Sequence, residues 1–434
     1  MEEKRARALR LLDNRAESSS DESDCAPSTA AAPPLDQIPA YLALKQRLGY
    51  FDRFGLDNPF RRTHEDLSAN RTTVNGRSCI NFSGYNYLGL SGHPEVSAAA
   101  RNAIDRYGTS ASASRLAGGQ IPLHLELEHE IAQTLGVEQC VTFASGYSTN
   151  VTTLGHLFGP KDLVVHDSLI HRSILTGCQL AGARRLRFPH NDWQALDRIL
   201  SEQRRNFRYA AVLIEGVYSM DGDIADLPKF IAVKKRHKAF LMVDEAHSFG
   251  VLGPRGFGVI DHFDLKPNDV EIWMGTLSKA LASSGGYIAG KAGMVEYLRL
   301  TAPGFVFAAA MSPPNTAAAL TAVRVLKSEP QRVARLHERS QLFLDLAKTH
   351  DLATGTSGGS PIVPVITGDS ELAVRLSDEL FKQGIVAQPI VHPAVEHSAA
   401  RLRFFVNALH TEQEIRTTVE ATAMSMLRLR QSPL

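Results

Sequence analysis

Residues 271–280 read Glu-Ile-Trp-Met-Gly-Thr-Leu-Ser-Lys-Ala, an apolar run that gives way to hydroxyls and a lysine. The run over 271–275 predicts a buried β-strand, so Lys279 lies just beyond its carboxyl end. Partial desolvation at such a position lowers the pKa of an amine and makes it a nucleophile that can form a Schiff base. A loop lysine exposed to water is the alternative interpretation.

An acid and a histidine follow a second apolar run, because residues 241–248 read Leu-Met-Val-Asp-Glu-Ala-His-Ser. A buried carboxylate at a strand end, here Asp244, needs a partner because an isolated buried charge is costly. The protonated nitrogen of a bound pyridine ring would be such a partner, and His247 could reach the same ring. The alternatives are an Asp that caps the next helix and a His that packs within its turn.

Short β-rich runs alternate with helical patterns between residues 93 and 290. This alternation predicts an α/β fold in which a mostly parallel sheet is covered by helices on both faces. Ligands bind at the carboxyl ends of the strands in such sheets. The seven predicted strands are 139–143, 162–166, 185–188, 209–215, 239–244, 271–275 and 286–289.

The remaining segments predict the domain organisation. Residues 1–36 contain a polar, proline-broken stretch and predict a disordered tail or linker. We expect an N-terminal segment over 37–92, a large ligand-binding domain over 93–327 and a smaller α/β domain over 328–434. In the last of these, Ser328 is the predicted N-cap of a helix that ends at 349, followed by strands at 361–367 and 401–407 and helices at 370–383 and from 411.

Composition excludes several classes of protein. The 434 residues are 44% hydrophobic and carry a formal net charge of +1, which gives no indication of a nucleic acid or anionic membrane partner. The four cysteines show no CxxC spacing, which argues against a disulfide framework and a zinc site. No apolar run is long enough to span a bilayer, and no signal-peptide core follows the N-terminus. We therefore expect a cytoplasmic protein without a metal.

Other polar residues follow predicted strands. The turn Ser145-Gly146-Tyr147 opens a helical stretch whose free N–H groups could bind a phosphate. His171 could stack on a flat ring, although a histidine at a helix N-terminus is the simpler interpretation. Ser219 places a hydroxyl beyond another strand, in what is also a glycine-rich turn. Arg403 could pair with a carboxylate, or face water from an edge strand.

The order of these segments resembles the α-oxoamine synthase family of pyridoxal phosphate-dependent acyltransferases. The similarity extends over roughly residues 40 to 430 and includes the segments 81–89, 107–115, 145–147, 166–171, 215–223, 243–248, 276–279 and 400–403. It implies the pyridoxal phosphate-dependent transferase fold of type I, which is aspartate-aminotransferase-like. The implied reaction is a decarboxylative condensation of a small α-amino acid with an acyl thioester, giving an α-amino ketone and carbon dioxide.

The same resemblance implies a role for individual residues. Lys279 would hold the cofactor and later move the α-proton, Asp244 would pair with the pyridine nitrogen, and His171 would stack on the ring. The other implied cofactor contacts are His247, Ser145, Gly146, Tyr147, Ser219, Thr276 and Ser278. The implied substrate contacts are Arg403, Tyr85 and Asn86. The resemblance also implies a homodimer with active sites at the interface, formed in part by 108–119 and 308–314.

Three departures from the family pattern bear on the substrates. Residues 85–87 read Tyr-Asn-Tyr, not the Asn-Asp-Tyr of members that act in biotin synthesis. Ala309 and Ala310 replace hydroxyl residues that normally contact the phosphate across the interface, and Val391 replaces an arginine. We therefore expect a long-chain CoA or acyl-carrier-protein thioester as donor, and not pimeloyl thioester. An aminotransferase, an aldolase and a regulatory partner subunit remain alternatives.

Overall fold

The computed structural model describes residues 34–431. Contacts divide the chain into two compact units, one up to Asp57 and one from Asn58 onward. The first unit contains a short 3-10 helix, Leu35–Gln37, and helix α1, Pro39–Phe54. Most of the predicted tail at 1–36 lies outside the described residues. The predicted domain boundary near residue 328 stays a prediction.

The second unit contains all of the described β-strands. They are β1 (Arg71–Val74), β2 (Arg77–Asn81), β3 (Gln139–Phe143), β4 (Leu163–Asp167), β5 (Arg184–Phe188), β6 (Ala210–Glu215), β7 (Phe240–Asp244), β8 (Ile272–Thr276), β9 (Gly286–Gly290), β10 (Ile362–Ile366), β11 (Ile385–Val386), β12 (Gln388–Ile390) and β13 (Arg401–Phe405).

Helices separate most of these strands. They are α2 (Pro94–Tyr107), α3 (Pro122–Leu135), α4 (Gly146–Leu157), α5 (Arg172–Ala181), α6 (Trp193–Gln203), α7 (Leu227–His237), α8 (Val259–Phe263), α9 (Ala292–Thr301), α10 (Pro303–Val306), α11 (Pro313–Ser328), α12 (Gln331–Thr349), α13 (Ser370–Lys382) and α14 (Glu412–Gln431). Among the described residues, no helix is long and apolar enough to cross a membrane.

The large sheet has the strand order β3-β9-β8-β7-β6-β4-β5. Its central strands run parallel, and β9 is antiparallel to both of its neighbours. The predicted mostly parallel, seven-stranded sheet is therefore confirmed. The register pairs Glu215 with Asp244, which places two carboxyl groups side by side at the carboxyl edge of the sheet.

Apolar residues on both faces of the central strands explain this fold. In β6, Val212 and Ile214 pack into one core cluster, whereas Ala211 and Leu213 pack into a second cluster on the opposite face. Each large aliphatic side chain buried in this way contributes roughly 1.5–3 kcal/mol. A strand that is buried on both faces requires a continuous apolar run, which is why these strands were predictable.

Two smaller sheets complete the second unit. One has the order β10-β13-β12 with antiparallel pairs, and the other joins β1, β2 and β11. Strands β1, β2, β11 and β12 were not predicted. The predicted start of the helix after α11 was wrong in detail, because Ser328 ends α11 and Pro330 occupies the N-cap of α12 without a side-chain cap.

Candidate active site

A cleft of about 460 Å³ opens at the carboxyl edge of the large sheet. Twelve of the thirteen predicted site residues line it: Tyr85, Ser145, Gly146, Tyr147, His171, Ser219, Asp244, His247, Thr276, Ser278, Lys279 and Arg403. The exception is Asn86, whose side chain is engaged elsewhere. Its amide donates to the Ser68 carbonyl and accepts from the Ser91 N–H, so it shapes the adjoining turn.

Lys279 follows β8 and is partly accessible from the cleft. Its Nζ lies 5.7 Å from the centre of the Tyr85 ring. Burial lowers the pKa of Lys279 to about 8, although Asp244 and Glu215 oppose this change. With a pKa of about 8, roughly a tenth of this amine is unprotonated at pH 7, far more than for an ordinary lysine, which favours a Schiff-base nucleophile.

Asp244 ends β7 and is almost completely buried. Its Oδ1 accepts the Ala246 N–H at 2.9 Å, and its Oδ2 accepts the Asn150 side-chain amide at 2.9 Å. The neighbouring Glu215 has a buried Oε1 without a hydrogen-bond partner. Burial, together with the nearby Asp244 charge, raises the pKa of Glu215 well above its usual value. These surroundings disfavour a charge on Glu215, whereas both oxygens of Asp244 accept hydrogen bonds, as a carboxylate can.

Two histidines line the same cleft as neutral rings. Burial lowers the pKa of His247 well below its usual value, and the cations Lys279 and Arg403 lower it further. Its Nδ1 lies 2.8 Å from the Tyr87 hydroxyl. Burial also lowers the pKa of His171, against the attraction of Asp244. Neutral histidines add no positive charge beside Lys279.

Hydroxyls and a helix N-terminus form another side of the cleft. Helix α4 begins at Gly146 with Ser145 as its N-cap, whose hydroxyl accepts the Ser148 N–H, so the Gly146 and Tyr147 N–H groups are left without an acceptor within the helix. A Cβ on Gly146 would come within 2.6 Å of Thr276 Oγ1, so only glycine permits this close approach. Thr276 and Ser278 share a 2.8 Å hydrogen bond. This arrangement suits an anion such as a phosphate.

Arg403 extends from β13 into the cleft. Its Nη1 donates to the Ser219 carbonyl at 2.8 Å, and its Nη2 lies 3.4 Å from the Tyr85 hydroxyl. Its Nε is buried without a partner. A guanidinium that lines a cleft can bind a carboxylate.

Several residues of the cleft were missed by the sequence reasoning. Asn150 and Ser173 lie inside helices, and nothing in their local sequence indicates that they face Asp244 and His171. Tyr87 was quoted only as part of a family segment. Glu215 ends a predicted strand as Asp244 does, and that shared position was a signal that could have identified it.

Comparisons with known proteins agree with this geometry. Residues 77–421 match the family model for aminotransferase class I and II. A putative 8-amino-7-oxononanoate synthase of Desulforudis audaxviator is 40% identical, covering 86% of this chain and 95% of that protein. The 8-amino-7-oxononanoate synthase of Thermoanaerobacter pseudethanolicus is 37% identical over 82% of this chain and 90% of its own length.

A solved structure gives the same result for the fold. The serine palmitoyltransferase of S. paucimobilis, with a bound PLP–myriocin aldimine, superposes with a TM-score of 0.88 at 29% identity. The match covers 92% of this chain and all of that one. The predicted family and the predicted transferase fold are both confirmed.

The groups in the cleft fit pyridoxal phosphate. The first turn of α4 offers N–H donors for its phosphate beside the Thr276 and Ser278 hydroxyls, and Asp244 offers a carboxylate for its pyridine nitrogen. Lys279 offers an amine of lowered pKa for its aldehyde. Together with the matched family model and relatives, these observations show that the chain belongs to the aminotransferase class I and II family, as one of its pyridoxal phosphate-dependent α-oxoamine synthases.

Proposed function

We propose that this acyltransferase condenses a small α-amino acid with an acyl thioester and releases carbon dioxide and a thiol. The α C–H bond of the amino acid breaks, and a bond then forms between the α-carbon and the acyl carbon. The acyl C–S bond breaks, and the bond from the α-carbon to the carboxylate breaks to release carbon dioxide. The α-carbon regains a proton, the thiol takes another, and the product is an α-amino ketone.

One observation carries this proposal: a lysine of lowered pKa, a buried aspartate and an arginine line the same cleft. Pyridoxal phosphate, when bound, draws electrons from the amino acid α-carbon. Arg403 binds the amino acid carboxylate through its guanidinium, and Lys279 Nζ moves the α-proton. Asp244 supplies a fixed negative charge that favours a cationic pyridine ring.

We propose that the acyl donor is a thioester of either CoA or an acyl-carrier protein. The prediction of a long-chain or carrier-bound donor rests on residues 85–87, on Val391 and on the tail at 1–36. The name shared by the curated relatives favours a different donor. Cleavage of 8-amino-7-oxononanoate between C7 and C8 gives two carbons from alanine and a seven-carbon acyl group that ends in a carboxylate. Pimeloyl thioester must therefore be included in any assay.

A spectrophotometric titration of the purified holoenzyme with a panel of amino acids tests the first substrate. A true substrate changes the absorbance of the bound cofactor at saturable concentrations, and it yields carbon dioxide only when an acyl thioester is added. Transfer of the amino group to a 2-oxo acid, without use of a thioester, would instead identify an aminotransferase. Matched acyl-CoA and acyl-carrier thioesters, with and without residues 1–36, then identify the donor.

We also propose that the enzyme is a homodimer. Phe307 is 85% exposed, and the large apolar side chains of Tyr297 and Leu300 on α9 are exposed as well. Exposed apolar residues at this density are typical of a protein–protein interface. The segment 308–314 that follows is one of those predicted to lie at the dimer interface. Light scattering should give twice the mass of the 47.4 kDa chain, and an active monomer would contradict the proposal.

A further inference from the structure

A chain of hydrogen bonds connects Asp244 with His171 through two buried side chains. The Asn150 side-chain amide donates to Asp244 Oδ2 at 2.9 Å and to Ser173 Oγ at 2.9 Å. Ser173 Oγ lies 2.7 Å from His171 Nδ1. Asn150 is 1% exposed and Ser173 is fully buried, so neither group has water as an alternative partner.

The orientation of the Asn150 amide follows from its two neighbours. Both hydrogens of the NH₂ group are used, one on a carboxylate oxygen and one on a hydroxyl oxygen. A flipped amide would place Oδ1 against Asp244 Oδ2, where two acceptors would repel each other. Asn150 Oδ1 has no partner in the observed orientation, so the NH₂ contacts outweigh the loss of that acceptor.

The direction of each bond then determines the protonation of the His171 ring. Ser173 Oγ accepts a hydrogen from Asn150, and its own hydrogen is free to point to His171 Nδ1, 2.7 Å away. The Ser173 backbone N–H also points to Nδ1, at 3.3 Å. Two donors converge on this nitrogen, so it bears a lone pair.

We propose that Asn150 and Ser173 are positioning residues that hold His171 in the cleft as the neutral tautomer with its proton on Nε2. This form gives the ring one hydrogen-bond donor and leaves no free lone pair on Nε2. His171 therefore does not accept a proton there, which leaves Lys279 to move the substrate proton. The ring also adds no positive charge to a cleft that already contains Lys279 and Arg403.

The charged surroundings of His171 act in both directions. Asp244 on β7 favours the protonated ring, whereas Lys279 and Arg403 disfavour it, and the Glu215 carboxyl lies near the His171 backbone N–H. Burial lowers the pKa of His171 and has the largest effect. The donors at Nδ1 act in the same direction as burial, because they stabilise the unprotonated nitrogen.

Nitrogen NMR of protein labelled with ¹⁵N-histidine tests the proposal, with His171→Gln used to assign the ring signals. We expect wild-type His171 near neutral pH to show an unprotonated Nδ1 and a protonated Nε2. Ser173→Ala should give a mixture of tautomers and a ring that titrates at higher pH. Asn150→Leu should change the signals in the same direction, because the Ser173 hydroxyl is then free to rotate.

Ser201→Ala is the matched control, since it removes an exposed hydroxyl bonded to a helix carbonyl and should leave His171 unchanged. A protonated Nδ1 in the wild-type protein would overturn the proposal. This measurement needs no variant, so the test remains valid even if a variant folds poorly. Unchanged His171 signals in a folded Ser173→Ala protein would overturn it as well. This proposal rests on the same cleft as the proposed function. The NMR measurement needs no substrate, so the His171 tautomer and the proposed reaction can each be disproved without the other.

Discussion

Asp167 and Asp244 both end parallel strands of the large sheet, β4 and β7, yet their surroundings differ. Asp167 accepts hydrogen bonds from the Leu169 and Asn191 N–H groups and from the Tyr218 hydroxyl, and it pairs with His190. His190 also pairs with Asp223. Although burial opposes protonation, these two carboxylates raise the pKa of His190 to about 10.

The cluster around Lys279 has the opposite properties. Burial lowers the pKa of Lys279 to about 8, and Glu215 and Arg403 each retain a buried polar atom without a partner. Around Asp167, each charge has an opposite charge beside it, which favours one stable arrangement. The cluster around Asp167 also contains unpartnered atoms, Asp223 Oδ1 and Asn191 Oδ1, so the difference lies in the charges: among the described residues, Lys279 and Arg403 form no ion pair. At one sheet edge, the paired cluster therefore supports the structure and the incompletely paired cluster supports chemistry.

The largest effect is expected from Lys279→Ala in the incompletely paired cluster. Removal of the amine should reduce turnover by roughly 10⁴-fold or more, the scale of losing a nucleophile. Borohydride reduction of the wild-type holoenzyme, followed by peptide mapping, should place a pyridoxyl label on the Lys279 peptide. Lys291→Ala is the control, since this exposed lysine pairs with Glu138. A label on another lysine would refute the assignment.

Exchange of one carboxylate in each cluster tests the comparison directly. Asp244→Asn should reduce kcat by roughly 10²- to 10³-fold with a small change in stability, because a fixed charge at the site is lost. Asp167→Asn should instead lower the free energy of unfolding by about 3–5 kcal/mol, because His190 loses a buried partner. Steady-state kinetics and urea unfolding measure both effects. Near-normal kcat in Asp244→Asn would show that its carboxylate is structural.

In the cofactor-free protein, the two clusters should make the free energy of unfolding depend on pH in opposite directions. The pKa of His190 is raised above 6.5. Its ion pairs therefore contribute fully to the free energy of unfolding below that pH, and this contribution is lost as pH rises through about 10. The pKa of Lys279 is lowered from 10.5, so the folded state binds fewer protons and stability rises between about 8 and 10.5. Each contribution is on the order of a few kcal/mol.

Urea unfolding as a function of pH separates these contributions. His190→Gln should remove a falling slope in the unfolding free energy, and Lys279→Met should remove a rising one. Identical slopes in wild-type and variant proteins would contradict the assigned pKa values.

The smallest effect is expected from Ala309→Thr, which restores a hydroxyl that the family pattern includes. One added hydrogen bond to the cofactor phosphate is worth about 1 kcal/mol, or roughly fivefold in the cofactor dissociation constant. Dialysis followed by fluorescence of the retained cofactor measures this change. Ala334→Thr, at an exposed position on α12, is the control. Unchanged retention would mean that other groups hold the phosphate.

The sequence by itself determined the large sheet and most of the cleft. Predicted strands 139–143 and 286–289 match β3 and β9 to within a residue, because buried strands need continuous apolar runs with clear ends. Lys279 and Asp244 were predicted because polar residues at strand ends form a local pattern, whereas Arg403 lies in the middle of β13. The same local reasoning placed Asn86 in the site, although its side chain holds a turn.

Only the tertiary structure decided which groups meet. Strand β11 exists because Ile385 and Val386 pair with Ile80 and Asn81, residues far away in the sequence. The contact of Asn150 with Asp244 and the raised pKa of Glu215 have the same reason: each depends on neighbours from distant segments. A hydrogen bond or a pKa shift of this kind is set by distance and burial in space, which no local run of residues encodes.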